Sequence, residues 1–394
     1  MKSSSEYKGN QQGILLVGDM NRRQFLKAGI GLTAFANSIE VIAGSIATAG
    51  TLTTGKSEPI EYPQLPYNKI QPPKQGCLIG FFKGVFLYRK NFDEIAAKAE
   101  NIDELAAMFK KEGLNKGLEP AVINRIAYYE NALGSKPFIF VLHERLYSEF
   151  PISQSVEIVK RGIVPYVRAC LGSYFSNSPS FGLKEIAQGK YDNYVQEFAR
   201  GAAEFGKKHG GFLFTTMEEM NGGWYDWGKK SHFIDAWRHT WQIFEDQGAN
   251  QYATWVWEIS TPERFPARVM VDDPELYYPG DRYVDWIGLN AFSVLGRRFS
   301  NSGLDELIYK TYPKMLKKHA QKPIMQSQFA RTNSEGQPKW LLDAYNAIKT
   351  NFPSLKAAIY MDNTWTKTGD HTLSPEGLQT LKDIFKDPYW IMAK

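Results

Sequence analysis

The stretch YDNYVQEFARGAAEFGKKHGGFLFTTM, residues 191–217, joins one amphipathic helix to one buried strand. Its apolar residues recur every three or four positions as far as Phe205, which is the spacing of a single buried helical face. After Gly210 and Gly211 comes a short apolar run of the kind that forms a strand covered on both sides. A helix that leads into such a strand is one unit of a parallel α/β fold.

The same unit recurs along the chain and predicts eight strands. They are LIGFF from Leu78, PFIFVL from Pro137, IVPYVRACL from Ile163, GFLFTTM from Gly211, YATWVW from Tyr252, VDWIGLN from Val284, PIMQSQF from Pro323 and LKAAIYM from Leu355. Further helical patterns occupy residues 233–244, 304–316, 340–348 and 378–385. Eight strand–helix pairs between residues 76 and 394 predict one closed (β/α)8 TIM barrel.

The residues before 76 are predicted to lie outside that barrel. NRRQFLKAGIGLTAFA, residues 21–36, places Arg22 and Arg23 before a weakly apolar run and resembles a twin-arginine export signal. We expect a signal region at 1–49, a Pro-, Ser- and Thr-rich linker at 50–75 that stays out of the fold, and a barrel domain at 76–394. Glu40 interrupts the apolar run, so no stable membrane span is expected. The export signal predicts a periplasmic or extracellular protein.

Composition excludes several classes of protein. With 43% hydrophobic residues the chain can build a large core, and its 47 basic and 42 acidic residues give a net charge of only +5, without a block of like charges. No nucleic-acid partner is therefore expected. The two cysteines, Cys77 and Cys170, lack CxxC spacing and a nearby His, so the sequence predicts no metal site and no cofactor. Whether they form a disulfide stays open, and the sequence carries no indication of oligomeric state.

Catalytic chemistry is expected at the C-terminal ends of the strands, where TIM barrels carry their active sites. MEEMNGGWYDWG, residues 217–228, follows the fourth strand with two carboxylates, an amide and two tryptophans. Cleavage of a glycosidic bond needs a carboxylic acid at the leaving oxygen, and aromatic rings hold sugars. Because strand side chains alternate, only one of Glu218 and Glu219 is expected to enter the cleft. The predicted partner is a polysaccharide.

Residues at or just beyond the predicted strand ends are the candidates for sugar binding. They are Asn221, Trp224, Trp227, Trp257, Trp365 and His143. For the tryptophans the alternative is a place in the core, and for His143 it is a structural hydrogen bond. The remaining histidines show no spacing typical of a metal site.

The motif EEMNGGWYDWG, which matches from Glu219 onward, resembles the fourth-strand motif of glycoside hydrolase family 26, the family of β-mannanases and related endoglycanases. IAQGKYDNYVQEFARGAAEFGKKHG lies upstream, and AWRHTWQIFEDQGANQYATWVWEIS, YYPGDRYVDWIGLN and KPIMQSQFA follow downstream in the family's order. The resemblance covers the chain from about Gly76 to the C-terminus. It implies that Glu219 is the general acid/base.

The departures from the family surround the bond to be cleaved. Where the family has its catalytic Glu, at the end of the seventh strand, this chain has Gln328, and a neutral amide is a poor nucleophile. The His that precedes the acid/base is Glu218 here, and an Arg of the family pattern is Thr215. A Tyr after the sixth strand is Phe292, which we add to the predicted sugar-binding residues.

Two classes of function follow from these residues. The first is a hydrolase of a β-linked, mannan-like polysaccharide in which Glu219 works with another carboxylate: Glu218, Glu258, Asp281 or Asp285. In a variant of it, an N-acetyl oxygen of the substrate attacks and Gln328 orients that group. The second class is an inactive barrel that binds polysaccharide during exopolysaccharide handling.

Overall fold

The computed structural model describes the barrel and the chain that leads into it. It covers residues 62, 64–66, 68–84, 98–113, 116–171, 179–222, 225, 230–261, 272–293, 302–365 and 369–394. The predicted export signal, Trp224 and Trp227 lie outside these residues.

Eight parallel strands form a closed barrel. They are β1 (Cys77–Lys83), β2 (Ile139–Arg145), β3 (Val164–Cys170), β4 (Phe212–Thr216), β5 (Ala253–Ser260), β6 (Trp286–Ser293), β7 (Ile324–Arg331) and β8 (Leu355–Asp362). Each strand pairs with the next, and β8 returns to pair with β1 from Leu78 to Lys83. This closure confirms the predicted (β/α)8 TIM barrel, and all eight predicted strands are present.

Helices surround the barrel and cover its outward-facing side chains. They are α1 (Ile102–Glu112), α2 (Glu119–Leu133), α3 (Ile152–Val159), α4 (Leu183–Ala187), α5 (Asp192–His209), α6 (Phe233–Asp246), α7 (Leu304–Ile308), α8 (Thr311–Lys318), α9 (Gln337–Thr350) and α10 (Pro375–Ile384). Among the described residues there are also three short strands: β9 (Thr364–Trp365), β10 (Gly369–Asp370) and β11 (Trp390–Ile391). Across the described ranges, no helix is long and apolar enough to cross a membrane.

The chain predicted to be a linker covers part of the N-terminal end of the barrel. The Ile70 backbone N–H donates to Thr254 Oγ1 at 2.8 Å, and the Trp286 indole donates to the Ile70 carbonyl at 3.1 Å. Gly211 makes room for this segment, since a Cβ there would lie 2.0 Å from the carbonyl oxygen of Asn68. The prediction that residues 50–75 stay out of the fold is therefore wrong for residues 68–70, which satisfy polar groups at the starts of β5 and β6.

The barrel interior carries polar side chains toward the C-terminal ends of the strands. Along β5, Glu258 points inward while the preceding Trp257 points out toward the surrounding shell, following the two-residue alternation of strands. Between β6 and β7 the register shifts, so that Leu289 pairs with Gln326 but Asn290 pairs with Gln328. The extra residue, Ser327, is a bulge, and bulges commonly re-aim side chains next to active sites.

The two cysteines are both reduced and lie at opposite ends of the barrel. Cys77 is the first residue of β1, and Cys170 is the last residue of β3. Because parallel strands all point the same way, these positions cannot form a disulfide with each other.

Candidate active site

Glu219 lies in a tight turn just beyond β4. Met217 and Glu219 have φ angles of 51° and 53°, in the left-handed region that is unfavourable for residues with a Cβ by about 1–3 kcal/mol each. Two backbone bonds hold the turn: Glu219 N–H donates to the Glu258 carbonyl at 3.0 Å, and Gly222 N–H donates to the Glu219 carbonyl at 2.9 Å. Backbone strain of this kind concentrates at functional sites, and here it sets the direction in which the Glu219 side chain leaves the chain.

Asn290 orients the Glu219 carboxyl group. Its Nδ2 donates to Glu219 Oε1 at 3.2 Å, and its own Oδ1 accepts from Ser327 Oγ at 2.8 Å, which fixes the amide. Glu219 is 9% exposed, whereas Glu218 is 1% exposed, so Glu219 is the more accessible of the two adjacent carboxyl groups. Since Asn290 pairs with Gln328 in the sheet, the predicted acid and the predicted nucleophile position flank the same asparagine.

Gln328 faces a guanidinium group. With its amide oxygen turned toward Arg168, as the hydrogen bonding requires, Gln328 accepts from Arg168 Nη2 at 3.2 Å and also contacts Nη1. Arg168 Nη2 donates in turn to Glu258 Oε2 at 2.5 Å, and the other oxygen of Glu258 accepts from the Tyr166 hydroxyl. The predicted nucleophile position, Gln328, is thus a neutral amide held by a buried cation.

Glu258 serves to hold Arg168 in place. It has no exposed surface, and both of its oxygens accept hydrogen bonds. Burial raises the pKa of Glu258, although the charge of Arg168 opposes the shift. Burial would lower the pKa of Arg168, but the charges of Glu258 and Glu218 outweigh burial and raise it. A carboxyl group enclosed in this way has no free oxygen to hold an attacking water, so this geometry does not favour Glu258 as the partner of Glu219.

Glu218 ends a chain of buried hydrogen bonds. Cys170 Sγ donates to Glu218 Oε1 at 3.0 Å, and His143 Nε2 lies 3.0 Å from the same sulfur. Burial would raise the pKa of Glu218, yet the neighbouring His143, the charge of Arg168 and the hydrogen bond from Cys170 hold it at about 2. Burial lowers the pKa of His143 to about 4, against the opposing effect of Glu218. Burial also raises the pKa of the Cys170 thiol, so Cys170 stays a donor.

The structure corrects two of the proposed partners of Glu219. Asp285 precedes β6, where it binds Lys69 Nζ at 2.6 Å and the backbone N–H of Trp255 at 2.8 Å. Asp281 lies before the same strand and accepts from the Tyr278 hydroxyl at 2.7 Å. Both carboxylates are at the N-terminal end of the barrel, the opposite end from Glu219.

Two of the predicted sugar-binding residues are also corrected. Trp257 is fully buried with its ring centroid 5.1 Å from that of Tyr278, so it is a core residue and cannot stack on a sugar. Asn221 is fully buried, and its amide donates to the Ser260 carbonyl at 2.8 Å and accepts from the Ser260 N–H at 3.0 Å. Its role is to tie the turn after β4 to the end of β5.

The remaining predicted residues divide by position. His143 is 2% exposed and engaged with Cys170, in agreement with the structural alternative. Phe292 is 6% exposed at the end of β6, with its ring 6.0 Å from that of His371. Trp365 follows shortly after the end of β8 and belongs to β9, which pairs with β10. These two stay predictions as sugar contacts.

Sequence reasoning missed three residues that organise the site: Tyr166, Arg168 and Asn290. A signal for Arg168 was present, because a charged residue inside the otherwise apolar run IVPYVRACL must find a buried partner. Asn290 stands at the end of VDWIGLN, where strand-end polar residues are expected to be functional. Its link to Glu219 depends on the β7 bulge, which no sequence pattern indicates.

A comparison with known families decides the classification. The sequence profile described as "Glycosyl hydrolase family 26" matches residues 183–391, which include β4 through β8 and therefore both Glu219 and Gln328. The chain belongs to glycosyl hydrolase family 26. The family resemblance drawn from its motifs is thus confirmed.

Two curated relatives agree with this membership. "Endoglucanase H" of Acetivibrio thermocellus is 26% identical over 211 residues, 50% of this chain and 22% of that protein. "Mannan endo-1,4-beta-mannosidase A and B" of Caldalkalibacillus mannanilyticus is 27% identical over 113 residues, 26% of this chain and 20% of that protein. The matches span about a fifth of the length of either relative.

Solved structures show the same fold in this family. The Bacillus subtilis mannanase BCman superposes with a TM-score of 0.53 at 18% identity, covering 81% of this chain and 87% of that one. The family 26 domain of an endo-β-mannanase/endo-β-glucanase from Prevotella bryantii gives 0.53 at 12% identity, with coverage of 81% and 91%.

Proposed function

We propose that this family 26 chain is a glycoside hydrolase that cleaves a β-linked, mannan-like polysaccharide with Glu219 as its general acid. The observation that carries the proposal is the placement of Glu219, which is held in a left-handed turn at the end of β4 and oriented by Asn290. Membership of the family and the matches to a mannosidase and an endoglucanase support the substrate class.

In this reaction Glu219 protonates the oxygen of the leaving sugar as the bond to the anomeric carbon breaks, and a water molecule adds to that carbon and releases a proton. Gln328 supplies neither a nucleophile nor a negative charge for the oxocarbenium-like transition state, so the wild type is expected to be slow on a plain mannan. Because the oxygen of the Gln328 amide faces Arg168, its NH₂ group is the part available to a substrate. A donor in this position suits the variant in which an N-acetyl oxygen of the substrate attacks.

A second candidate function is polysaccharide binding without cleavage. The observation that favours it is Gln328 itself, because the residue that faces the buried Arg168 guanidinium is a neutral amide and cannot attack the anomeric carbon. Such a barrel would keep a shaped cleft and take part in exopolysaccharide handling.

The two candidates separate in one experiment. The purified protein is incubated with mannans, glucans, xylans and amino-sugar polymers, and both bound polymer and released oligosaccharides are measured. The hydrolase proposal expects oligosaccharide release that disappears in Glu219→Gln. Retention of a polymer without any product supports the binding function instead, and neither binding nor product would reject both.

We also propose that Arg22 and Arg23 direct export of the chain, since they precede a weakly apolar run. Replacing both with Lys is expected to retain the protein in the cytoplasm, as measured by fractionation of the producing cells. Unchanged export of the double variant would contradict this role.

A further inference from the structure

The ends of β2, β3 and the turn after β4 bring together three side chains that are common transition-metal ligands. His143 Nε2 lies 3.0 Å from Cys170 Sγ, Cys170 Sγ lies 3.0 Å from Glu218 Oε1, and the imidazole nitrogen lies 3.9 Å from that oxygen. The three residues are 2%, 3% and 1% exposed. In the part of the chain that the structure describes, no other group of three His, Cys or acidic residues comes this close.

A second observation points to a ligand at this cluster. Glu218 Oε2 is buried and makes no hydrogen bond to any of the described residues. A buried carboxylate oxygen without a partner is unfavourable by about 1–3 kcal/mol. A cation bound by the carboxylate would satisfy that oxygen as well as Oε1.

We propose that His143, Cys170 and Glu218 bind a zinc ion. An imidazole, a thiolate and a carboxylate together suit Zn²⁺, and the two anionic ligands balance its charge. In tetrahedral zinc sites the ligand atoms lie about 3.3–3.6 Å apart, as follows from bond lengths of about 2.0–2.3 Å. The observed separations reach that geometry with shifts of about half an ångström.

Binding requires one local rearrangement. Coordination through Nε2 places the ring proton of His143 on Nδ1, which lies 3.4 Å from Nη1 of Arg145. The Arg145 guanidinium must turn away, toward the Glu144 carbonyl that it already contacts at 3.3 Å. The Tyr225 hydroxyl, 3.5 Å from Glu218 Oε1, is a further oxygen close to the three proposed ligands.

The ion would order the site and take no part in bond cleavage. It would join the ends of three neighbouring strands and fix Glu218, whose backbone leads directly into Glu219. The three side chains can bind zinc whether or not a polysaccharide is cleaved. The zinc proposal therefore does not depend on hydrolase activity.

The test loads the full chain with Co²⁺, which reports a thiolate ligand through an intense near-ultraviolet charge-transfer band. We expect that band in the wild type, its loss in Cys170→Ala, and its retention in the matched variant Cys77→Ala, whose cysteine is equally buried but lies at the other end of the barrel. Zinc competition should displace the cobalt. Zinc affinity in Cys170→Ala is expected to fall by more than about 100-fold.

The outcomes that overturn the site are equally specific. A folded wild type that shows no thiolate band with Co²⁺ has no such site, and a band that survives in Cys170→Ala places the metal elsewhere. Circular dichroism establishes that each variant is folded. If Cys170→Ala does not fold, competition with a chromophoric chelator in Glu218→Gln decides instead: an affinity equal to that of the wild type rejects the proposal.

Discussion

At the N-terminal end of the barrel, Lys69 and Asp285 form an ion pair that connects parts of the fold. Asp285 Oδ2 accepts both from Lys69 Nζ at 2.6 Å and from the Trp255 N–H at 2.8 Å, so one carboxylate joins the entering chain to β5. At the C-terminal end, the Arg168–Glu258 pair is more deeply buried, with side chains 4% and 0% exposed, and its guanidinium also contacts Gln328.

The C-terminal end leaves polar groups that its own contacts do not satisfy. Arg168 Nε and Glu218 Oε2 are buried without a hydrogen bond to any described residue, although both belong to paired side chains. Such groups destabilise a fold unless a water, an ion or a ligand satisfies them, so these two mark places where a ligand can bind. Similar ion pairs therefore stabilise the fold at one end of this barrel and position candidate site residues at the other.

Gln328→Glu should have the largest effect, because it places a carboxylate at the predicted nucleophile position. Arg168, already in contact with residue 328, will keep the new carboxylate ionised. We expect the rate of mannan or glucan cleavage to rise about 100-fold or more, since a missing nucleophile removes most of the catalysed rate. The rate of oligosaccharide release checks this.

The contrary outcome for Gln328→Glu is informative. A wild type that is more active than Gln328→Glu would exclude the hypothesis that this chain is a hydrolase that has lost its nucleophile. It would favour a mechanism in which a water or an N-acetyl group of the substrate attacks.

Arg168→Met should lower the free energy of unfolding by about 3–5 kcal/mol, because it leaves Glu258 ionisable and buried without its cation. Denaturant titration measures the loss. The double variant Arg168→Met/Glu258→Gln removes both charges and should recover much of it. If Arg168→Met is as stable as the wild type, the Arg168–Glu258 ion pair does not form in solution.

Lys69→Met should have the smallest effect, about 1–2 kcal/mol in the free energy of unfolding. The Lys69 and Asp285 side chains are 9% and 14% exposed, and Asp285 also interacts electrostatically with Lys322, which offsets part of the loss. Polysaccharide binding and cleavage should not change. A loss of activity at unchanged stability would mean that the two ends of the barrel are coupled.

The sequence predicted the fold well because eight apolar runs alternate with amphipathic helices. It predicted Glu219 and Gln328 as site residues because both belong to local motifs at strand ends. It placed Trp257 in the cleft because nothing in WVWEIS shows whether the tryptophan or the glutamate faces inward, which depends on register. It left residues 68–70 outside the fold because their contacts are irregular. His143 and Cys170, 27 positions apart, meet only through the pairing of β2 and β3.

The role of Glu219 is tested most directly by comparing Glu219→Gln with the wild type on two substrates. One is the cleaved polysaccharide, and the other is an aryl glycoside of the same sugar with a dinitrophenolate leaving group, which departs without protonation. If Glu219 is the general acid, the polysaccharide rate falls about 10²- to 10⁴-fold while the aryl glycoside rate falls far less, at an unchanged melting temperature. Equal losses on the two substrates, or no loss on either, would contradict that role.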